Sequence, residues 1–165
     1  MMAWFRAEDP LAKQADRLAA AAAEHFSATW SDTLGTVSAL TEANRDEWNR
    51  SATVAAVLLA VFPLLRACQG DPKRFVNLKG RALEGLAARY PKGAELARAA
   101  EGATVPPSGF ERTRTLTEVD EATGLALAGW VLQRLGPAGN RNWHDIRRVA
   151  PILQRAVQGY WTAAT

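Results

Sequence analysis

The sequence predicts an all-α protein, a single-domain bundle of about six helices spanning residues 1–165. Three observations predict this fold class. Apolar residues recur at three- and four-residue spacing, which places them on one face of a helix. Asp-Pro pairs, which are typical of helix starts, occur at Asp9-Pro10 and Asp71-Pro72. No run alternates between apolar and polar residues as a half-buried strand would.

The first 101 residues predict helices separated by capping residues, glycine and proline. The alanine-rich start has high helix propensity. Ser31-Asp32 either caps a second helix or interrupts the first, and both alternatives remain open. Ser51 is the predicted cap of a central apolar helix, which Pro63 should kink because proline lacks a backbone donor. The predicted helices cover residues 10–30, 53–68, 72–90 and 92–101.

The rest of the chain begins with the one obvious loop. Residues 102–109 contain Pro106-Pro107 and separate 1–101 from 110–165 within the same domain. Thr115 and Glu118 have capping-box spacing, which predicts the start of a helix. The two helices predicted here cover residues 115–135, stopped by Gly136-Pro137, and residues 142–161, capped by Asn142 and interrupted by Pro151.

Composition places the chain among folded proteins of a reducing compartment. It is 48% hydrophobic and 22% charged, which is ordinary globular usage. Its single cysteine, Cys68, excludes an intramolecular disulfide. The N-terminus does not resemble a secretory signal. The longest apolar run, Val54–Leu65, is shorter than the roughly 20 residues needed to span a bilayer. We therefore expect a cytoplasmic protein that does not insert into a membrane.

The net charge of +3 is unevenly distributed along the chain. Residues 1–50 hold five basic and eight acidic side chains, whereas residues 66–100 hold eight basic and three acidic ones. Residues 134–155 hold five basic and one acidic side chain. Two basic stretches of this kind favour an anionic partner.

Known catalytic motifs are absent from the sequence. It has no phosphate-binding glycine loop, no HExxH and no nucleophile elbow. Its two histidines, His25 and His144, do not form a recognisable site. Cys68 follows Arg66, so a low-pKa thiol is one interpretation, but a buried structural cysteine is favoured. We expect no enzyme, no cofactor and no metal.

Arginines line one face of two predicted helices. In the last helix an apolar stripe faces inward, and arginines spaced by seven residues fall on the opposite face, with His144 beside them and Arg147 at the flank. In the helix 72–90, Val76, Leu83, Leu86 and Tyr90 are predicted to face inward, and the arginines to face outward with few acidic neighbours. The predicted nucleic-acid contacts are Arg74, Arg81, Arg89, Arg141, Arg148 and Arg155.

Two interpretations of these faces remain open. The guanidinium fork binds phosphate oxygens in pairs, and neutralising phosphates releases counterions, so the rows suit a nucleic-acid backbone. A solvated helix face, which every soluble bundle has, is the other interpretation. Six tryptophans are many for this length, and Trp143 and Trp161 are predicted to contact a partner. A core or subunit contact is favoured over base stacking for Trp143.

One segment resembles a known family. Phe110-Glu111-Arg112 through Thr117, followed by the helix Glu121–Leu135 with Trp130, is similar to the aromatic-Arg-Thr start and Trp-containing last helix of some small subunits of CRISPR effector complexes. The likeness covers about a sixth of the chain, and here a further helix follows. It implies repeated copies along a crRNA–target duplex, which hold the backbone with basic faces and do not cleave it.

The predicted function is therefore a nonenzymatic helical subunit that packs into a larger assembly and contacts nucleic-acid phosphates. Other protein subunits, further copies of this chain among them, are the expected protein partners. The alternative is a protein–protein adaptor or scaffold, in which the arginines meet acidic protein and the tryptophans are anchors. A third hypothesis is a helical enzyme with an unrecognised site near Cys68 or His144.

Overall fold

The predicted all-α bundle is confirmed in a computed structural model, which describes residues 8–102, 121–136 and 142–164. These residues contain seven α-helices and no strand. The helices are α1 (Pro10–Ser27), α2 (Trp30–Thr36), α3 (Arg45–Ala67), α4 (Pro72–Arg89), α5 (Pro91–Gly102), α6 (Glu121–Arg134) and α7 (Trp143–Ala164). Of the predicted loop at 102–109, Gly102 is instead the last residue of α5, and 103–109 lie outside the described residues. The capping box at Thr115 and the segment Phe110–Thr117 also lie outside them.

The chain begins with two separate helices rather than one long one. Asp9 caps α1 by accepting a hydrogen bond from the Leu11 amide at 3.0 Å. At the end of α1 the Thr29 hydroxyl donates to the Phe26 carbonyl at 2.6 Å. The same carbonyl also accepts from the Thr29 backbone amide at 3.1 Å, and α2 begins at Trp30.

Helix α3 is the central helix, and it begins earlier than the sequence predicts. A 3₁₀ turn at Glu42–Asn44, with a capping box between Thr41 and Asn44, precedes it. The prediction that Ser51 caps this helix is wrong: Ser51 is buried within α3 and donates to Glu47 Oε1 at 3.0 Å. All residues from 51 to 60 are buried, and Pro63 lies inside the helix without ending it.

One described segment, Glu42–Ala67, is long and apolar enough to cross a membrane by length and composition alone. However, 65% of its most apolar window is buried inside the bundle. Burial by neighbouring helices fits the core helix of a soluble protein.

Helices α1, α2, α4, α5 and α6 contact α3, and α7 packs against α1 and α6. Tyr160 of α7 is fully buried and donates its hydroxyl proton to the Ala56 carbonyl of α3 at 2.6 Å. Its ring meets Phe26 of α1 edge to face, with 5.9 Å between centroids. Trp48 of α3 is also fully buried and donates to the Thr29 hydroxyl at 3.3 Å. Tyr160 thereby ties α7 to α1 and α3, and α7 also packs against α6 and α2.

Helix α4 begins as predicted but is rotated about its axis relative to the predicted orientation. Gly70, at φ 80°, turns the chain, and Asp71 caps α4 by accepting from the Arg74 amide at 2.9 Å. The prediction that Val76 faces inward is wrong, because Val76 is 67% exposed. The residues on the buried stripe are Leu78, Ala82 and Leu86, with Leu83 and Tyr90 half-buried beside it.

Candidate nucleic-acid interface

The first arginine of the α4 row is bound by an aspartate at the start of α1. Arg74 Nε donates to Asp9 Oδ2 at 2.6 Å, and its Nη2 donates to Asp9 Oδ1 at 2.8 Å. This pairing is bidentate and lowers the pKa of the Asp9 carboxyl. The prediction that the α4 arginines have few acidic neighbours is therefore wrong for Arg74.

The second arginine of this row is paired in the same way. Arg81 Nε donates to Asp16 Oδ1 at 2.7 Å, and its Nη2 contacts both Asp16 and Glu8, the latter at 3.4 Å. The hydrogen bond from Arg81 lowers the pKa of Asp16 and raises the pKa of Arg81 itself. The prediction fails here because Asp16 lies 65 residues away in the sequence, on a helix that packs against α4, and Glu8 lies 73 residues away, just before that helix.

Arg89, the third arginine of the row, is exposed at the end of α4 and makes no ion pair with any described residue. On this face only Arg89 therefore keeps the solvated guanidinium that the sequence predicts for all three.

The α7 row differs from the α4 row. Arg147, Arg148 and Arg155 are all exposed, and none of them forms an ion pair within the described part of the chain. Arg148 and Arg155 are seven residues apart, which places them about 10 Å apart along the helix axis on one face. Arg141 lies outside the described residues.

A broad cleft runs beside this row, between α2 and α7. Its volume is about 660 Å³. Both arginines line one side, and polar residues of α2, Ser31, Asp32 and Thr36, line the other. Asp32 is the one carboxylate in the lining, and it forms no ion pair with either arginine. The cleft therefore carries an excess of positive charge.

An exposed tryptophan lies at the start of α7, on the side of Arg147 rather than on the face of Arg148 and Arg155. Trp143 is 58% exposed, whereas Trp30, Trp48 and Trp130 are buried. His144 beside it is exposed, and its backbone amide donates to the capping Asn142 side chain at 3.0 Å. Trp161 lies in the last turn of α7, and its side chain lies outside the described part. We call Trp143, Arg147, Arg148 and Arg155 the α7 surface.

The remaining titratable candidates do not form a reactive site among the described residues. Cys68 is buried, as favoured from the sequence, and burial raises the pKa of its thiol. Thiolate chemistry requires the opposite shift. His25 is half-buried beside Gly159 of α7, whereas His144 lies 15 residues earlier, in the first turn of that helix, so the two histidines do not share a site. No group of three or more described His, Cys, Asp or Glu side chains is placed to hold a metal ion.

Sequence analysis missed a second charged cleft, between α3, α5 and α6. It has a volume of about 370 Å³ and is lined by Glu47, Arg50, Lys92, Glu95, Leu96 and Arg134. The Arg134 guanidinium lies 3.4 Å from the centre of the Trp130 ring and donates from Nη1 to the Trp130 carbonyl at 2.9 Å. The four-residue spacing of Trp130 and Arg134 could have indicated their contact on α6. The approach of α3, which completes the cleft, could not be predicted from the sequence.

The sequence matches no protein-family model, and neither a curated protein nor a solved structure matches it. The resemblance to small subunits of CRISPR effector complexes therefore stays a prediction.

Proposed function

We propose that this protein is a nonenzymatic helical subunit of a larger cytoplasmic assembly, which contacts the phosphate backbone of nucleic acid through the α7 surface. The observation that carries the proposal is the difference between the two arginine rows. Arg74 and Arg81 are neutralised by carboxylates of the same chain, whereas Arg148 and Arg155 have no such partner among the described residues.

The charge arrangement of the α7 surface suits a phosphate chain. An arginine already engaged in a bidentate pair must give up that pair to bind phosphate, whereas an unpaired, solvated arginine need not. Two guanidinium groups about 10 Å apart on one helix face can each take a phosphate along a strand. The proposed contacts are therefore Arg147, Arg148 and Arg155, with Arg89 the remaining candidate on α4.

Trp143 adds an apolar group to the basic surface. An exposed aromatic ring next to arginines stacks on an unpaired base in many single-strand binders, and such stacking tolerates any sequence. It is also typical of an anchor that enters a pocket on a partner protein. If the chain acts as a CRISPR effector small subunit, copies of it would share the backbone contacts along a guide–target duplex.

A protein–protein adaptor is the second candidate, and the exposure of Trp143 favours it. Tryptophan and arginine are both enriched at protein interfaces, so the same surface fits an acidic protein partner. The two candidates differ in one measurable property: backbone binding weakens steeply with salt, since it depends on counterion release.

The experiment is fluorescence-anisotropy binding of labelled single-stranded and duplex RNA and DNA at several salt concentrations. The test variant is Arg148→Ala/Arg155→Ala. The matched control is Arg17→Ala/Arg98→Ala, which removes the same charge from exposed positions of α1 and α5 that pair with no described residue. All four substituted arginines are exposed, so circular dichroism should show both variants folded.

The affinity of the wild type should fall as salt rises. For a single strand, the slope of log K against log salt should be less steep by about 1.4 in the test variant, because two phosphate contacts are lost. The control should keep the wild-type slope. Equal losses in both variants would mean that net charge alone attracts the strand. No binding at any salt would refute the proposal and favour the adaptor.

A further inference from the structure

Polar atoms that lack partners occur in and next to the cleft between α3, α5 and α6: Arg50 and Arg134 line the cleft, whereas Asn49 and Trp130 do not. Four buried side-chain nitrogen or oxygen atoms make no hydrogen bond within the described residues, and they belong to Asn49, Arg50, Trp130 and Arg134. Folded proteins pair about nine in ten such atoms. These four stand on two short stretches of α3 and α6, and three of them are N–H donors. The region therefore has an excess of donors.

Each arginine of this cleft is held by one of its terminal nitrogens. Arg50 Nη2 contacts Glu47 Oε2, and Arg134 Nη1 donates to the Trp130 carbonyl. The other terminal nitrogens, Arg50 Nη1 and Arg134 Nη2, have no partner in the part of the chain that the structure describes, and neither does Lys92 Nζ. Fixing one end of a guanidinium while leaving donors free is what preorganised anion sites do.

The charges of the cleft are also unbalanced. Burial lowers the pKa of Arg134, and the charge of Glu47 only partly offsets this. Glu47 is itself occupied, since it accepts from Ser51 and pairs with Arg50. What remains is two cations, Arg134 and Lys92, against Glu95. A half-buried cation without a paired anion is unfavourable, so an anion bound here would stabilise the fold.

We propose that this cleft binds a phosphate group, either free inorganic phosphate or the phosphate of a nucleoside monophosphate. Donors on three separate side chains, Arg50, Arg134 and Lys92, suit the several oxygens of a phosphate better than the two of a carboxylate. The volume of about 370 Å³ lies within the range of small-molecule sites. The site is separate from the α7 surface and shares no residue with it.

The test is isothermal titration of the full chain, in a buffer free of phosphate, with inorganic phosphate and separately with adenosine monophosphate. The main variant is Arg134→Met, which removes the charge and keeps an apolar chain against Trp130. Lys92→Gln is the second variant; Lys92 is exposed and makes no hydrogen bond with any described residue, so this change should not disturb folding. The control is Arg17→Ala, an exposed arginine of α1 that lines neither cleft. Arg148→Ala/Arg155→Ala is titrated in parallel to detect any phosphate that binds the α7 surface.

Arg134→Met should weaken phosphate binding at least tenfold, since a hydrogen bond to a charged group contributes roughly that factor or more. Lys92→Gln should weaken it several-fold, and the control should keep wild-type affinity. Tighter binding of the monophosphate would identify a nucleotide as the ligand, and equal affinities would identify free phosphate.

Two results would overturn the proposal. If no saturable heat appears with either probe, the unpaired donors are satisfied by water alone. If Arg148→Ala/Arg155→Ala loses phosphate binding while Arg134→Met keeps it, the phosphate binds the α7 surface instead. In that case the backbone-binding function would stand although the inference fails, so the two proposals can fail separately.

Discussion

The contact between α6 and α7 offers a sharp test of the packing that holds the α7 surface in place. A Cβ atom added at Gly124 of α6 would lie 3.0 Å from the Ala150 carbonyl oxygen and 3.2 Å from Gln154 Cβ on α7. The nearest atom is backbone, which cannot rotate away. Alanine at this position must therefore push the two helices apart by a few tenths of an ångström.

A matched control stands in the same helix. At Gly129 an added Cβ would meet only Ile146 Cδ1, at an ordinary contact distance of 3.8 Å. Both substitutions gain helix propensity, up to about 1 kcal/mol in a helix interior. Only Gly124→Ala adds the overpacking cost, which is about 1–3 kcal/mol. The difference in the free energy of unfolding between the two variants should therefore be about 1–3 kcal/mol, with Gly124→Ala the less stable.

Urea unfolding followed by circular dichroism measures this difference, provided that both variants keep the same m-value. Gly129→Ala should be as stable as the wild type or more stable. If Gly124→Ala is stabilised as much as Gly129→Ala, then α6 and α7 do not approach as closely as described here, and the orientation of α7 would have to be revised.

Two further predictions concern pH. Burial raises the pKa of Tyr160. The neutral Tyr160 hydroxyl therefore contributes fully to the free energy of unfolding below pH about 10, and this contribution is lost as pH rises above that value. Tyr160→Phe should lower the free energy of unfolding by about 1 kcal/mol at neutral pH through the lost bond to Ala56, and the free energy of unfolding in urea should then fall less as pH rises above about 10. The arginine partners lower the pKa values of Asp9 and Asp16. The two ionised carboxylates therefore stabilise the fold above pH about 4, and this contribution is lost as pH falls below it. In urea unfolding, Asp9→Asn/Asp16→Asn should reduce the loss of stability between neutral and acid pH. An unchanged pH dependence would contradict the α1–α4 pairing.

The arginine rows show how far sequence reasoning reaches at the site. The seven-residue spacing predicts that Arg148 and Arg155 share a face of α7, and both are exposed as expected. The same argument applied to α4 fails for Arg74 and Arg81, because a helical wheel describes one helix and says nothing about its neighbour. The cleft at Arg134 was missed for the same reason, since its lining comes from three helices.

The sequence by itself determined the features that depend on neighbours within a turn or two of helix. Capping by Asp9 and Asp71 and the positive φ of Gly70 act locally, so the starts of α1 and α4 could be predicted. The pairing of faces was decided only by the tertiary structure. The sequence shows an acidic N-terminal segment and a basic stretch after residue 66, but only the structure shows that α1 packs on α4 and that Arg74 and Arg81 pair with carboxylates of that segment. Helix α7 has no such partner for its arginines among the described residues, because its apolar side packs on α1 and α6, and Arg148 and Arg155 stay exposed in the cleft beside α2.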